Sequence, residues 1–330
     1  MAIKMKNIFN SILQTFSSHK KIDFIFNRNF NDYKNVKVNL GQLQSVLNNQ
    51  KARLKNLSEV EFQIFSQFGD DGIIQFLINK LSIKNKTFIE FGVENYRESN
   101  TRFLLINNYW SGFVIDGSQE NINQIKNEQL YTFYDLRAKS SFINCENINS
   151  IMLASGFESE IGILSIDIDG NDYWVWKAIN AVHADIVICE YNSLFGFEDA
   201  ITIKYNADFV RGINTPFNFY GTSLKAICLL AKEKGYFFIG CNSAGNNAYF
   251  IAERLRETCP IDEKTPEEGY VFAVFSETWD LAGEPSRGSE KIKSIEGLEV
   301  VDVKSMQVCK IDSTTIINSL VTANKLRGIN

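Results

Sequence analysis

Phe88-Ile89-Glu90-Phe91-Gly92-Val93-Glu94 is the stretch on which the reading of the fold turns. It reads as an apolar strand, set from Thr87 to Phe91, that ends in an acid and breaks at a glycine. A glycine at a strand end lets the backbone approach a ligand closely, and the acid can accept hydrogen bonds from it. The acid Asp116 follows 26 residues after Glu90, in Phe113-Val114-Ile115-Asp116-Gly117-Ser118, a second strand of the same design. A third constellation, Ile166-Asp167-Ile168-Asp169-Gly170-Asn171-Asp172, closes another apolar run, and the next ends in Cys189-Glu190-Tyr191-Asn192.

Outward from these runs, strands are expected near Thr87–Phe91, Gly112–Ile115, Leu130–Tyr134, Ile161–Ile168, Asp185–Cys189, Tyr236–Gly240 and Asn247–Ile251. Helices are expected between them at Asn100–Asn107, Glu120–Asn127, Glu146–Leu153, Tyr173–Ile179 and Ser223–Lys234. That alternation predicts right-handed βαβ crossovers and a mostly parallel sheet, with a ligand at the carboxyl ends of the strands. A further helix is expected after Gly69, where Asp70 and Asp71 suit a first turn.

Residues 1–62 lack strand alternation, and Leu43, Val46, Leu47 and Leu54 fall at helical spacing, so a helical extension is expected there, packed on the core or a partner. The core is set at 63–254 and a small α+β addition at 255–330, with turns at Gly283–Pro285 and Arg287–Gly288, a strand at Leu298–Val303 and a helix at Thr314–Lys325. Phe195–Gly221 has no sustained periodicity and is expected to be a lid or substrate loop.

Composition sets outer bounds. Hydrophobic residues at 45% and charged residues at 22% exclude a mainly disordered chain. A net charge of -5 gives no general attraction to nucleic acid, although Lys4, Lys6, Lys20 and Lys21 leave room for a local basic patch. No apolar run is long enough to span a bilayer and the start is too Asn-interrupted for a signal peptide, so a cytoplasmic protein is expected. The six cysteines are far apart and read as small buried hydrophobes, without a zinc site or disulfide framework.

The two acid-ended strands favour an adenosine cofactor, Asp116 being placed to take both ribose hydroxyls. NAD is disfavoured: the second and third glycines of its phosphate-binding fingerprint would be Glu94 and Arg97, and a carboxylate there repels a pyrophosphate. S-adenosylmethionine carries a sulfonium and an ammonium instead. The clustered acids Asp167, Asp169 and Glu190 suggest a hard divalent ion such as Mg²⁺, the competing reading being that some merely cap the helix starting near Asp172.

At this point the chain resembles the FkbM-like methyltransferases and, more distantly, metal-dependent sugar O-methyltransferases of antibiotic and surface-polysaccharide pathways. The resemblance rests on Ser66-Gln67-Phe68-Gly69-Asp70-Asp71-Gly72, Phe88-Ile89-Glu90-Phe91-Gly92, Glu98-Ser99-Asn100-Thr101, the run from Trp110 to Ser118, Glu146-Asn147-Ile148-Asn149 and the run from Leu164 to Gly170. It covers about residues 64 to 252. It implies an α/β, Rossmann-like methyltransferase core with a mostly parallel seven-stranded sheet. It implies that Gln67, Glu90 and Gly92 line the methionine end of the cofactor, that Asp116 holds its ribose, that Asn144 with its neighbours lies by adenine, and that Ser99, Gly117 and Ser118 are further cofactor-binding residues. Asp167, Asp169 and Glu190 would then be the catalytic residues facing the acceptor, with or without a metal. The chain departs from common methyltransferases in having one glycine in its first loop.

The expected activity is methyl transfer to a sugar hydroxyl, on a nucleotide-linked sugar or a polysaccharide precursor, a homodimer being left open. The alternative is a metal-dependent glycosyltransferase that uses Asp167-x-Asp169 with a nucleotide sugar. A haloacid dehalogenase-type phosphatase would open its core domain with such acids, and a non-enzymatic adaptor would bind no adenosine ligand. His183 is expected at the end of the sheet away from the ligand, without a catalytic role, and His19 in the extension.

Overall fold

A computed structural model describes residues 35–273, 275, 278 and 285–326. Lys4, Lys6, Lys20, Lys21, His19 and Gly283, named above, lie outside the described residues. The described residues open with helix α1 over 35–49, then α2 (Asp70–Lys80), and the βα alternation follows. It runs β1 (Thr87–Phe91), α3 (Arg102–Asn108), β2 (Ser111–Asp116), α4 (Gln119–Asn127), α5 (Gln129–Phe133), β3 (Leu136–Ser140), α6 (Ile148–Leu153), β4 (Glu160–Ile166), α7 (Asp172–Ala178) and β5 (His183–Glu190). After a short β6 (Ile201–Ile203) come α8 (Leu224–Glu233), β7 (Tyr236–Cys241) and β8 (Asn247–Ala252). The rest comprises α9 (Pro266–Gly269), α10 (Ser289–Lys293), β9 (Glu299–Asp302), β10 (Gln307–Lys310) and α11 (Ser313–Thr322).

The main sheet has seven strands in the order β3-β2-β1-β4-β5-β8-β7, and only β8 runs against the others. The α/β class and the Rossmann-like, mostly parallel seven-stranded sheet expected from the sequence are therefore what the chain forms. Alternate residues of each strand enter opposite cores: Phe88, Val114, Ile163, Ile186 and Ile188 one, Ile89, Ile115, Leu164, Val187 and Cys189 the other. Both faces are buried, which is why these strands read as continuous apolar runs rather than alternating ones. The chain leaves β1 toward β2 and β3 on one side and returns to β4 and β5 on the other, so strand order switches between β1 and β4. That is where ligands bind in such sheets.

One expected strand is corrected. Leu130–Phe133 is helical (α5) with Tyr134 as its C-cap, Leu130 buried and Phe133 exposed, and the third strand is Leu136–Ser140. Its Arg137 and Lys139 suit an edge strand paired only with β2, whereas the aromatic content of the preceding segment suggested β structure. The α1 helix forms, but Leu43, Val46 and Leu47 lie on its exposed side. Gly41 faces Phe103 and Ile64 instead, and Leu54 is buried beyond the helix, bridged to Ile261. Within the aperiodic Phe195–Gly221 segment, β6 pairs with β9, and β9 with β10, in a three-stranded antiparallel sheet. Cys309 is exposed rather than buried. Among the described residues no helix is long and apolar enough to cross a membrane.

Candidate functional site

The acid that ends β2 anchors the cleft. Asp116 Oδ2 accepts the Glu94 backbone N–H at 2.8 Å, and Oδ1 accepts the Ser118 N–H at 2.8 Å and Asn121 Nδ2 at 3.0 Å. These bonds tie the loop after β1 to the start of α4 and hold the carboxylate at the sheet edge. Around it the outer arm of the cleft is lined by Gly92, Glu94, Ile115, Gly117, Phe142 and Ile143, and on the far side by Asp167, Asp169, Asn171 and Phe209. Gly92 has φ +67°, and a Cβ there would lie 2.9 Å from the Asp167 carbonyl carbon and overlap its oxygen. The glycine is thus required by the close approach of the chain leaving β4.

A narrower inner arm shares Gly92 and Asp167 with the outer one. It is lined by Gln67, Glu90, Phe91, Glu98, Ser99, Asn100, Asn246 and Asn247. Glu90 is buried, its Oε1 accepting the Asn100 N–H at 2.9 Å and its Oε2 the N–H and hydroxyl of Thr101. Burial outweighs these donors and pushes its pKa to about 7. Its carboxylate orders the loop into α3 while forming part of the wall.

Asp167, Asp169 and Glu190 each bring one oxygen within 4.8 Å of the others. Burial, then the neighbouring acids, raises Asp167 and Glu190 well above the usual carboxylate range. Two such groups side by side hold a proton between them more readily than two charges. Asp169 sits at φ +55°, a conformation an aspartate adopts only at a cost. It pairs with Arg211 Nη1 at 2.6 Å. The Arg211 guanidinium lies between the Phe217 and Tyr220 rings, 4.1 and 3.8 Å from their centroids, and its Nε donates to the Phe217 carbonyl at 2.9 Å. The segment expected to be a lid therefore reaches the acids through Arg211, while Phe209 covers Gly170.

The capping alternative is not met at α7, whose N-cap Asn171 makes no side-chain cap hydrogen bond. Asp172, the first helical residue, instead accepts the N–H groups of Ile168 and Gly170, in the loop before the helix, at 2.9 Å each. Glu190 Oε2 has no partner, and neither does Asn171 Oδ1, both buried. Orphaned oxygens beside a carboxylate cluster fit a hard cation or a hydrogen-bond donor.

The structure brings Gln67, Glu90, Gly92, Ser99, Asp116, Gly117, Asp167 and Asp169 to one cleft, with Glu190 behind Asp167. Two expected residues have their side chains engaged elsewhere. Ser118 Oγ caps α4 by accepting the Asn121 N–H at 3.3 Å, and Asn144 Oδ1 accepts the Asn147 N–H at 2.9 Å. Beside the cleft the lining residues of this stretch are Ser141, Phe142 and Ile143, neighbours of Asn144 rather than Asn144 itself. Within the Ser66–Gly72 motif, only Gln67 lines the cleft. Asp71 Oδ2 receives the N–H groups of Ile64, Phe65 and Ser66, and Asp70 receives Asn242, Asn247 and Tyr249. The sequence reading missed Arg211, Phe209, Asn171, Asn246 and Asn247. Asn171 lies in the quoted Ile166–Asp172 run and Asn247 opens the expected strand that became β8, whereas no motif marks the other three. His183 begins β5, at the other end of the sheet, stacked on Tyr236 at 4.9 Å.

No protein-family model matches the chain, and no curated protein does. Several solved structures overlap part of it. The N-terminal domain of EvdMO1 with S-adenosylhomocysteine bound is 10% identical over 50% of this chain and 72% of its own, with a TM-score of 0.34. A S-adenosylmethionine-dependent methyltransferase from Clostridium acetobutylicum is 13% identical over 50% and 83%, with a TM-score of 0.32. The CurJ carbon methyltransferase is 10% identical over 56% and 52%, with a TM-score of 0.37. Likeness this slight carries no argument about acceptor or mechanism, so the chemistry rests on the residues.

Proposed function

We propose that the chain is a cytoplasmic S-adenosylmethionine-dependent O-methyltransferase acting on a sugar hydroxyl, of a nucleotide-linked sugar or a surface-polysaccharide precursor. The observation that carries the cofactor is the placement of Asp116, a carboxylate anchored at the end of β2 beside the switch point. Apolar Ile115, Phe142 and Ile143 flank it where an adenine ring would lie. The acids Glu90, Glu94 and Asp167 along the same cleft oppose a pyrophosphate and favour a sulfonium. The core that binds the cofactor is residues 63–254.

Methyl transfer from a sulfonium is an in-line displacement, which asks the protein to align the acceptor and take its proton. Asp167, at the junction of the two arms, is the residue assigned as base, and burial, with Asp169 and Asp172 nearby, raises its proton affinity. Arg211 holds Asp169 and so ties the Phe195–Gly221 segment to the acid cluster. A Mg²⁺ ion, held by Asp167, Asp169 and Glu190, would polarise the hydroxyl. The sugar acceptor rests on the sequence resemblance, supported by Phe209, an aromatic side chain that lines the outer arm.

Calorimetric titration with S-adenosylhomocysteine, with and without Mg²⁺, tests the reading, with NAD and a nucleotide sugar as controls. Micromolar binding of S-adenosylhomocysteine that Asp116→Ala abolishes is the expected result. Binding of the nucleotide sugar alone would move the assignment to the glycosyltransferase, for which the comparisons give no support.

A further inference from the structure

Glu190 and Asn247 are direct partners across the antiparallel β5–β8 pair. They are only 6% and 4% exposed, and each has an oxygen without any hydrogen-bond partner, Glu190 Oε2 and Asn247 Oδ1. Leaving a buried acceptor unpaired costs about 1–3 kcal/mol, so a native chain keeps one mainly where something else supplies the donor.

The orientation of the Asn247 amide follows from its neighbours. Its Nδ2 donates to Asp70 Oδ1 at 3.1 Å, and the same carboxylate receives the Tyr249 hydroxyl at 2.6 Å and Asn242 Nδ2 at 3.1 Å. A carboxylate surrounded by donors turns the NH₂ of Asn247 toward itself and leaves the carbonyl oxygen on the other side of the amide. Asn247 lines the inner arm, whose charged lining residues are Glu90, Glu98 and Asp167. No Lys, Arg or His is among that lining. An arm with acids and an orphaned amide oxygen calls for a cationic donor. Gln67 in the same wall carries an amide that can donate to an anion, while the Ser99 hydroxyl donates to the Val93 carbonyl at 3.5 Å.

We propose that Asn247 is a cofactor-binding residue whose Oδ1 accepts a hydrogen bond from the α-ammonium of the methionine portion of S-adenosylmethionine. The inference rests on the methyltransferase reading and deepens it. Gln67 then faces the carboxylate of the same amino-acid group. Asp70, buried in α2, acts through Asn247 as a positioning residue.

The test is a binding cycle on the full chain with two probes, S-adenosylhomocysteine and its analogue lacking the amino group. The wild type is expected to prefer the amine-bearing probe by about tenfold or more, as for a charge-assisted hydrogen bond. Asn247→Ala is expected to bind both with nearly equal affinity. Tyr249→Phe, which also takes one hydrogen bond from Asp70 but touches no wall of the cleft, is expected to keep the preference. Asn247→Ser leaves a hydroxyl donor for Asp70 without the carbonyl, and serves if the alanine variant does not fold. An undiminished preference in the Asn247 variants, or an equal loss of both probes in them, overturns the inference while leaving the methyltransferase reading intact. Failure of the wild type to bind S-adenosylhomocysteine at all overturns both.

Discussion

Gly92 and the Asp167 carbonyl lie in contact across the switch point, with no room for a Cβ between them. The first loop and the loop after β4 are therefore one rigid junction, and both arms of the cleft open from it. Gly92→Ala must shift one loop or the other and force a side chain into φ +67°. A loss of about 2–4 kcal/mol in urea unfolding, together with loss of S-adenosylhomocysteine binding, is expected.

Asp167 lies among acids that disfavour its charge. Asp167→Asn removes that repulsion and is expected to raise stability by about 1–2 kcal/mol while lowering methyl transfer by about 10²–10⁴-fold. Urea midpoints and turnover on an identified acceptor check the two parts separately. A purely structural aspartate would lower stability instead.

Arg211 is the cation that faces Asp169, and Asp167 and Glu190 also feel its charge. Arg211→Ala leaves the three acids less compensated, so divalent cations are expected to bind about fivefold to tenfold more tightly. Titration with Mn²⁺ followed by electron paramagnetic resonance reads this directly. Unchanged affinity would separate the guanidinium from any metal role.

Stability should also depend on pH through two buried carboxyls outside the acid cluster. Burial raises Asp71 to about 6 and Glu90 to about 7, both above their ordinary values of 3.8 and 4.5. A raised folded-state pKa contributes stability that is fully present below about pH 4 and is lost as pH rises through 6 and 7. Each shift of about two units corresponds to on the order of 3 kcal/mol. The urea midpoint of the ligand-free protein is expected to fall between pH 5 and 8. In Glu90→Gln the fall above pH 6 should be smaller, from a lower starting point, because an amide turns an N–H toward the donors of Asn100 or Thr101.

The expectations that held and those that failed divide along physical lines. Strands β1, β2, β4 and β5 were legible because each is an apolar run buried on both faces, a property carried by successive residues. The acids at their ends were legible for the same reason, since a strand that ends at the sheet edge leaves its last residue beside the cleft. The edge strand β3 was not, because Leu136-Arg137-Ala138-Lys139-Ser140 pairs on one side only and needs little apolar character. The aromatic segment before it looked more like a strand than the strand itself.

By itself, then, the sequence determined the α/β alternation, the strand ends bearing Glu90, Asp116, Asp167 and Glu190, and the glycine between the first strand and its loop. These depend on local burial and backbone freedom, which short stretches encode. Only the tertiary structure decided which of those acids are free and what meets them. Asp70 and Asp71 belong to one motif, yet one anchors β8 and the other three backbone N–H groups. Arg211 reaches Asp169 across 42 residues, and Asn247 meets Glu190 through an antiparallel register. Such pairings follow from strand order and chain crossing, and no local pattern encodes them.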